Sequence, residues 1–250
     1  MSAPQNLREL RFAVDDWAAL AAGLSAQEEW LAWFNQPTPV TREFSADLSW
    51  MAPTLRRRVS PAGRAALNVL ATCHTESCPV VFASSYGDLA ATAELLTQLH
   101  REETLSPIGF SLAVHNAVVG IYSIARKDRA SSTSIASSSD LAELAFFEAL
   151  GWIASGATSV LVVCCGEAVP SPYLPENDRH EFRHAWACRL RKVAEGGFSL
   201  SSSVEGEKFS DTSSWSAVES PSLRALAFLV GGQAKTMVSE TGRYLWKRHD

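Results

Sequence analysis

The stretch "TSVLVVCCG", residues 158–166, constrains the fold more than any other part of the chain. It carries no charge and no apolar/polar alternation, so a strand here has to be covered on both faces. Such a strand belongs in a parallel sheet with helices above and below. The preceding residues fit that placement. "DLAELAFFEALGWIASG" (140–156) reads as a largely apolar helix ended by Gly156, and "STSIA" (132–136) is strand-like. Strand, helix and strand in that order form a right-handed crossover unit.

The rest of the chain reads as mixed α/β. "LRFAVDDWAAL" (10–20) is compatible with a strand or an amphipathic helix. Ser25 and Glu28 have the spacing of a capping box, which starts a helix over "SAQEEWLAWF" (25–34). "SPAGRAALNVLATCH" (60–74) is a helix with Pro61 in its first turn, and "PVVFASS" (79–85) is a strand ended by Tyr86-Gly87-Asp88. A helix follows over 88–103, with an acid at its positive end. "SPIGFSLAVHNAVVGIYSIA" (106–125) is expected to be one continuous helix. It has almost no charge on any face, so the core or a partner must cover it all round.

Beyond Pro170, "HAWACRLRKV" (184–193) and "GFSLSSSV" (197–204) alternate, and Glu195-Gly196-Gly197 between them predicts a hairpin. Residues 206–222 are polar and Ser-rich and are expected to form a surface loop. "SLRALAFLVGG" (222–232) is expected to be a helix and "GRYLWKRH" (242–249) a final strand. With 250 residues, 46% of them hydrophobic, and no evident linker, one domain over 1–250 is expected.

Composition narrows the function. A formal net charge of −5 argues against a nucleic-acid partner. The run Arg56-Arg57-Arg58 is short enough to be a solvated helix face. The five cysteines, Cys73, Cys78, Cys164, Cys165 and Cys188, show no CxxC spacing. They suggest neither a disulfide framework nor a metal site, and a reducing cytoplasm is the expected compartment. His180 and His184 are four residues apart but lack the surroundings of a zinc helix. No leader peptide and no membrane span is expected.

Four motifs in order carry a resemblance: "RRRVSPAGR" (56–64), "SSYGD" (84–88), "SPIGFSLAVHN" (106–116) and "STSIASSSD…ASGATSVLVVCCGE" (132–167). Together they resemble the N-terminal half of a β-ketoacyl synthase, a member of the thiolase-like α/β fold, with a truncated or degenerate second half. The match is closest to the chain-length-factor-type subunits of aryl polyene and type II polyketide pathways. In active synthases a cysteine sits on the turn between the strand and the helix. Counting back from Gly156, that position falls on Ser139, within about one residue. Ser137 and Ser138 flank it, so no local slip restores a thiol. A cysteine at a helix N-terminus is readily a thiolate, whereas a serine needs an adjacent base. The family's histidine-containing second-half motifs have no counterpart after Gly166.

The resemblance therefore implies a catalytically silent subunit, without cofactor, that pairs with a complete β-ketoacyl synthase as a heterodimer. It would shape that partner's pocket for a chain carried on an acyl carrier protein. Ile108, Gly109, Phe110, Ala113 and Ala117 would line the interface and acyl pocket, with Gly109 making room and Phe110, or a residue one turn on, forming a floor. His115 and Asn116 would be buried polar residues that fix the helix. Ser132, Thr133, Ser134, Ile135 and Ala136 would form the strand at the contact. Two alternatives stay open: an acyltransferase or hydrolase that uses Ser139, and a pure scaffold that stabilises a synthase.

Overall fold

A computed structural model describes residues 10–40, 44–169, 173, 182–203, 209, 218–232 and 234–250. One eight-stranded mixed sheet organises them, in the order β3-β2-β4-β5-β1-β6-β8-β7. Its parallel part holds β2 (Val80–Ser84), with β3 (Ser132–Ile135) on one side and β4 (Ser159–Gly166) on the other. As the unbroken apolar run requires, every residue of β4 is buried. From β4 outward the pairing is antiparallel, through β5 (His184–Lys192), β1 (Phe12–Ala21), β6 (Phe198–Ser202), β8 (Tyr244–Arg248) and β7 (Thr236–Val238).

Two apolar layers sandwich this sheet. One contains α1 (Gln27–Asn35), α7 (Leu141–Ala154) and α8 (Pro221–Gly231), packed around Phe12, Phe146, Trp186 and Trp246. The other contains α3 (Pro61–Cys73) and α6 (Ala117–Arg126), packed around Leu67, Leu70, Phe82 and Tyr122. α3 begins at Ser60, whose hydroxyl accepts from the Gly63 N–H at 3.2 Å, with Pro61 in the first turn. α4 (Leu89–His100) begins at Asp88, which accepts from Ala91 N–H at 3.0 Å.

Several expectations are corrected. The choice left open over residues 10–20 falls to a strand, β1, which begins at Phe12. The expected hairpin is absent: β5 (His184–Lys192) and β6 (Phe198–Ser202) are both strands but do not pair, because β1 lies between them. Gly197 explains the misleading turn signal. Its φ is +69°, and a Cβ there would collide with the Phe12 carbonyl, so the glycine serves the passage of β1. The carboxylate closing the start of α1 is Glu29, not Glu28. It accepts from the Ser25 and Ala26 N–H groups at 2.7 and 2.9 Å. Most of the Ser-rich segment 206–222 lies outside the described residues, as does His180. The three-residue strand β7 was not foreseen.

The most consequential correction concerns residues 106–125. They form two helices, α5 (Pro107–Leu112) and α6, with a break over 113–116. α4 packs against α5, and α5 against α6.

Candidate functional site

The break between α5 and α6 is explained by its histidine. His115 Nε2 lies 2.7 Å from Ser84 Oγ at the end of β2, and its ring rests 5.3 Å from that of Phe82. Ser84 Oγ also accepts from the Gly87 N–H at 3.0 Å. Gly87 (φ +66°) leaves room for the ring, since a Cβ there would press on His115 Cδ2 at 3.2 Å. Burial pushes the imidazole pKa down, favouring the neutral ring. Ser84 is 4% exposed and its oxygen is already engaged, so the pair acts as a clip between sheet and helix rather than as a nucleophile and base. Sequence reading missed Ser84, although its motif, "SSYGD", was in view. Asn116 is exposed and makes no side-chain cap, contrary to the expectation of a buried polar residue.

Around the break, large apolar side chains are exposed beside the polar Ser111 and Asn116. Ile108 (58% exposed), Phe110 (65%), Val114 and Ile124 project outward, and α4 adds Leu96 and Leu99. Ala113 and Ala117, flanking the break, are half-buried. Gly109 faces its own chain: a Cβ would meet Ser106 at 3.4 Å and Leu95 of α4 at 3.9 Å.

The strand expected at the contact, β3, is an edge strand bonded on one side only, to β2. Ser132 is exposed, and Thr133, Ser134 and Ile135 are partly covered. Thr133 Oγ1 donates to Glu148 at 3.1 Å, and Ser134 Oγ is buried with no hydrogen-bond partner. Ala136 follows the strand and is exposed. β3 is only four residues long, but it carries no charge and no proline, so its outer edge keeps main-chain groups that another chain can pair with.

Ser139 lies on the turn from β3 into α7. Ser137 Oγ donates to the Ser139 carbonyl at 2.6 Å. Among the described residues, no side chain is hydrogen-bonded to the Ser139 hydroxyl, so no base is in place to activate it. The left-handed residue of the turn is its neighbour Asp140 (φ 52°), the N-cap of α7. Asp140 and the buried Glu143 point toward β7–β8, where Glu143 Oε1 accepts from Trp246 Nε1 at 2.9 Å. Burial, reinforced by the charges of Asp140 and Glu240, pushes the Glu143 carboxyl up to about 7 against the pull of that hydrogen bond.

A small, open cleft lies at the carboxyl ends of β2 and β4, lined by residues that include Ser84, Tyr86, Gly87, Cys165 and Glu167. Arg183 holds the Glu167 carboxylate at 2.7 Å. All five cysteines are free and buried, and burial raises the Cys73 thiol to about 12. His184 is fully buried, contacting the Phe182 carbonyl and Ser222 Oγ. Among the described residues, no cluster of three or more His, Cys, Asp or Glu side chains is placed to hold a metal ion, and no helix is long and apolar enough to cross a membrane.

The sequence profile of the family described as β-ketoacyl synthase, N-terminal domain, matches residues 30–247. The chain belongs to this family. Its sheet and helix layers are those of the thiolase-like ketosynthase N-terminal half. Among solved structures it is similar to a chain in the complex of the ketosynthase ApeO with its chain length factor ApeC from Xenorhabdus doucetiae. The identity there is 26% and the TM-score 0.75, over 97% of this chain and 100% of that one. It also resembles the ishigamide ketosynthase/chain length factor, at 13% identity and TM-score 0.60, over 78% of this chain and 68% of that chain. A third similar structure is AntDE:AntF, a type II polyketide acyl-carrier protein in complex with its ketosynthase, at 16% identity and TM-score 0.58, over 78% and 70% of the two chains. The last two likenesses speak to fold alone. No curated protein matches the sequence. The ketosynthase fold and the likeness to ketosynthase–chain length factor pairs agree with the motifs at 56–64, 84–88, 106–116 and 132–167.

Proposed function

We propose that this chain is a non-catalytic, chain-length-factor-type subunit that pairs with a complete β-ketoacyl synthase and forms part of the wall around that partner's growing acyl chain. One observation carries the reading. Large apolar side chains of α4–α6 and the break between them (Leu96, Leu99, Ile108, Phe110, Val114, Ile124) lie exposed in a chain that also has β3 as an edge strand. Large apolar side chains exposed on neighbouring helices favour a covering partner. An edge strand lets that partner extend the sheet through main-chain hydrogen bonds.

The silent role rests on residue chemistry. Ser137, Ser138 and Ser139 stand at the turn that the resemblance equates with the thiol-bearing turn of an active synthase, and among the described residues no base is bonded to Ser139. A hydroxyl without a base is a poor nucleophile at neutral pH. A serine acyltransferase or hydrolase is disfavoured for the same reason. Ile108 and Phe110 are the large exposed apolar side chains of α5 and the best candidates to reach a partner's acyl pocket, with Gly109 between them. The carrier-borne substrate, the heterodimer and the aryl polyene or type II polyketide setting belong to this proposal by resemblance.

Co-expression with candidate synthases tests the reading. The expected result is co-purification of a stoichiometric complex whose product length changes when Phe110 is replaced by Ala. Unchanged product length in an intact complex would favour a pure scaffold instead.

A further inference from the structure

The amino end of α7 is already occupied by the protein's own chain. The Asp140 N–H donates to Glu240 Oε1 at 3.1 Å, across 100 residues of sequence. Thr241 answers with its own N–H and hydroxyl, both given to the Asp140 carboxylate. Two further contacts join β8 to the helix: the Tyr244 ring lies 5.4 Å from that of Phe147, and the Trp246 indole is bonded to Glu143. The turn between β7 and β8 is thus strapped over the residue that follows Ser139.

The electrostatic consequence is specific. A helix amino end concentrates partial positive charge and lowers the pKa of a thiol placed there. Here Asp140, Glu143 and Glu240 gather three carboxyl groups at that end. Arg243, next to Tyr244, is the cation of the same turn. We infer that the β7–β8 turn is a built-in plug: Glu240 holds the position an anion would take at the α7 amino end, so residue 139 is silenced by charge as well as by lacking sulfur. The inference rests on reading the 137–140 turn as the counterpart of the synthase's cysteine turn.

The test needs this chain alone. Ser139→Cys adds a thiol, and the wild type serves as blank because its five cysteines are buried. Iodoacetamide alkylation is followed against pH by intact-protein mass spectrometry, with and without Glu240→Gln, which keeps an acceptor for the Asp140 N–H but removes the charge. The new thiol is expected to titrate at or above about 8.5, the unperturbed value. Glu240→Gln should speed its alkylation at pH 7 by roughly 5- to 10-fold, corresponding to a pKa shift of about one unit. If the double variant does not fold, salt decides: screening should raise the Ser139→Cys rate. A thiol titrating below about 7.5, as at an open helix amino end, would overturn the inference. So would a rate indifferent to Glu240→Gln, or one that falls with salt. No synthase enters this measurement, so failure to find a partner leaves its outcome untouched, and the reverse also holds.

Discussion

Ser84 and His115, 31 residues apart, meet at 2.7 Å and tie the end of β2 to the break between α5 and α6. The contact turns a run that would otherwise continue as one apolar helix into two, and leaves Ile108, Phe110 and Val114 facing outward.

Replacing Ser84 with Ala removes the partner of His115 Nε2 and the acceptor of the Gly87 N–H. Leaving partly buried polar groups unpaired costs about 1–3 kcal/mol. Urea unfolding should show a loss in that range. Amide exchange should rise across 107–116 while β4 stays protected.

The pH dependence follows from two groups with opposite signs. Burial lowers the His115 pKa, so the unfolded chain takes up the proton first as pH falls. Stability from this group is complete above about 6.5 and declines below it. His74 and His249 are shifted in the same direction by burial, so His115→Gln should remove only part of the acid-side slope.

Glu143 works the other way. Its carboxyl is raised from 4.5 to about 7, so its contribution is fully present below about 4.5 and is lost as pH rises through 7. Glu143→Gln keeps an acceptor for Trp246 and has no proton to lose. The variant should be more stable than the wild type at pH 8, by about 1–3 kcal/mol, and equal to it near pH 4.5. Chemical denaturation at the two pH values checks this.

Phe110→Asp separates docking from folding. Phe110 is 65% exposed, so stability should change by no more than about 0.5 kcal/mol. Affinity for the synthase partner should fall by at least about 30-fold, as expected when an aromatic anchor is replaced by a charge. Calorimetric melting of the chain and titration of the complex give the two numbers.

The parts of the fold that rest on local pattern were legible in the sequence. β4 declared itself by an unbroken apolar run, and α3 by Ser60, Pro61 and helical spacing. What escaped depends on distant neighbours. Nothing between Glu195 and Gly197 says that β1 will pass between β5 and β6, because the clash relieved by Gly197 involves Phe12. The break at 113–116 contains neither glycine nor proline. It is set by Ser84, Gly87 and Phe82, which lie on another element. At the candidate site, the lack of a thiol at 137–139 was readable at once, whereas the strap by Glu240 and Thr241 was not, since it joins segments 100 residues apart.

The central claim is tested most directly by following acyl groups during turnover. The purified chain, alone and with its synthase partner, would be given malonyl- and acyl-loaded carrier protein, and each polypeptide weighed by intact mass spectrometry. The account predicts no condensation by this chain alone and, in the complex, acyl adducts on the synthase only. An acyl adduct on this chain, or elongated product formed without a partner, would contradict it.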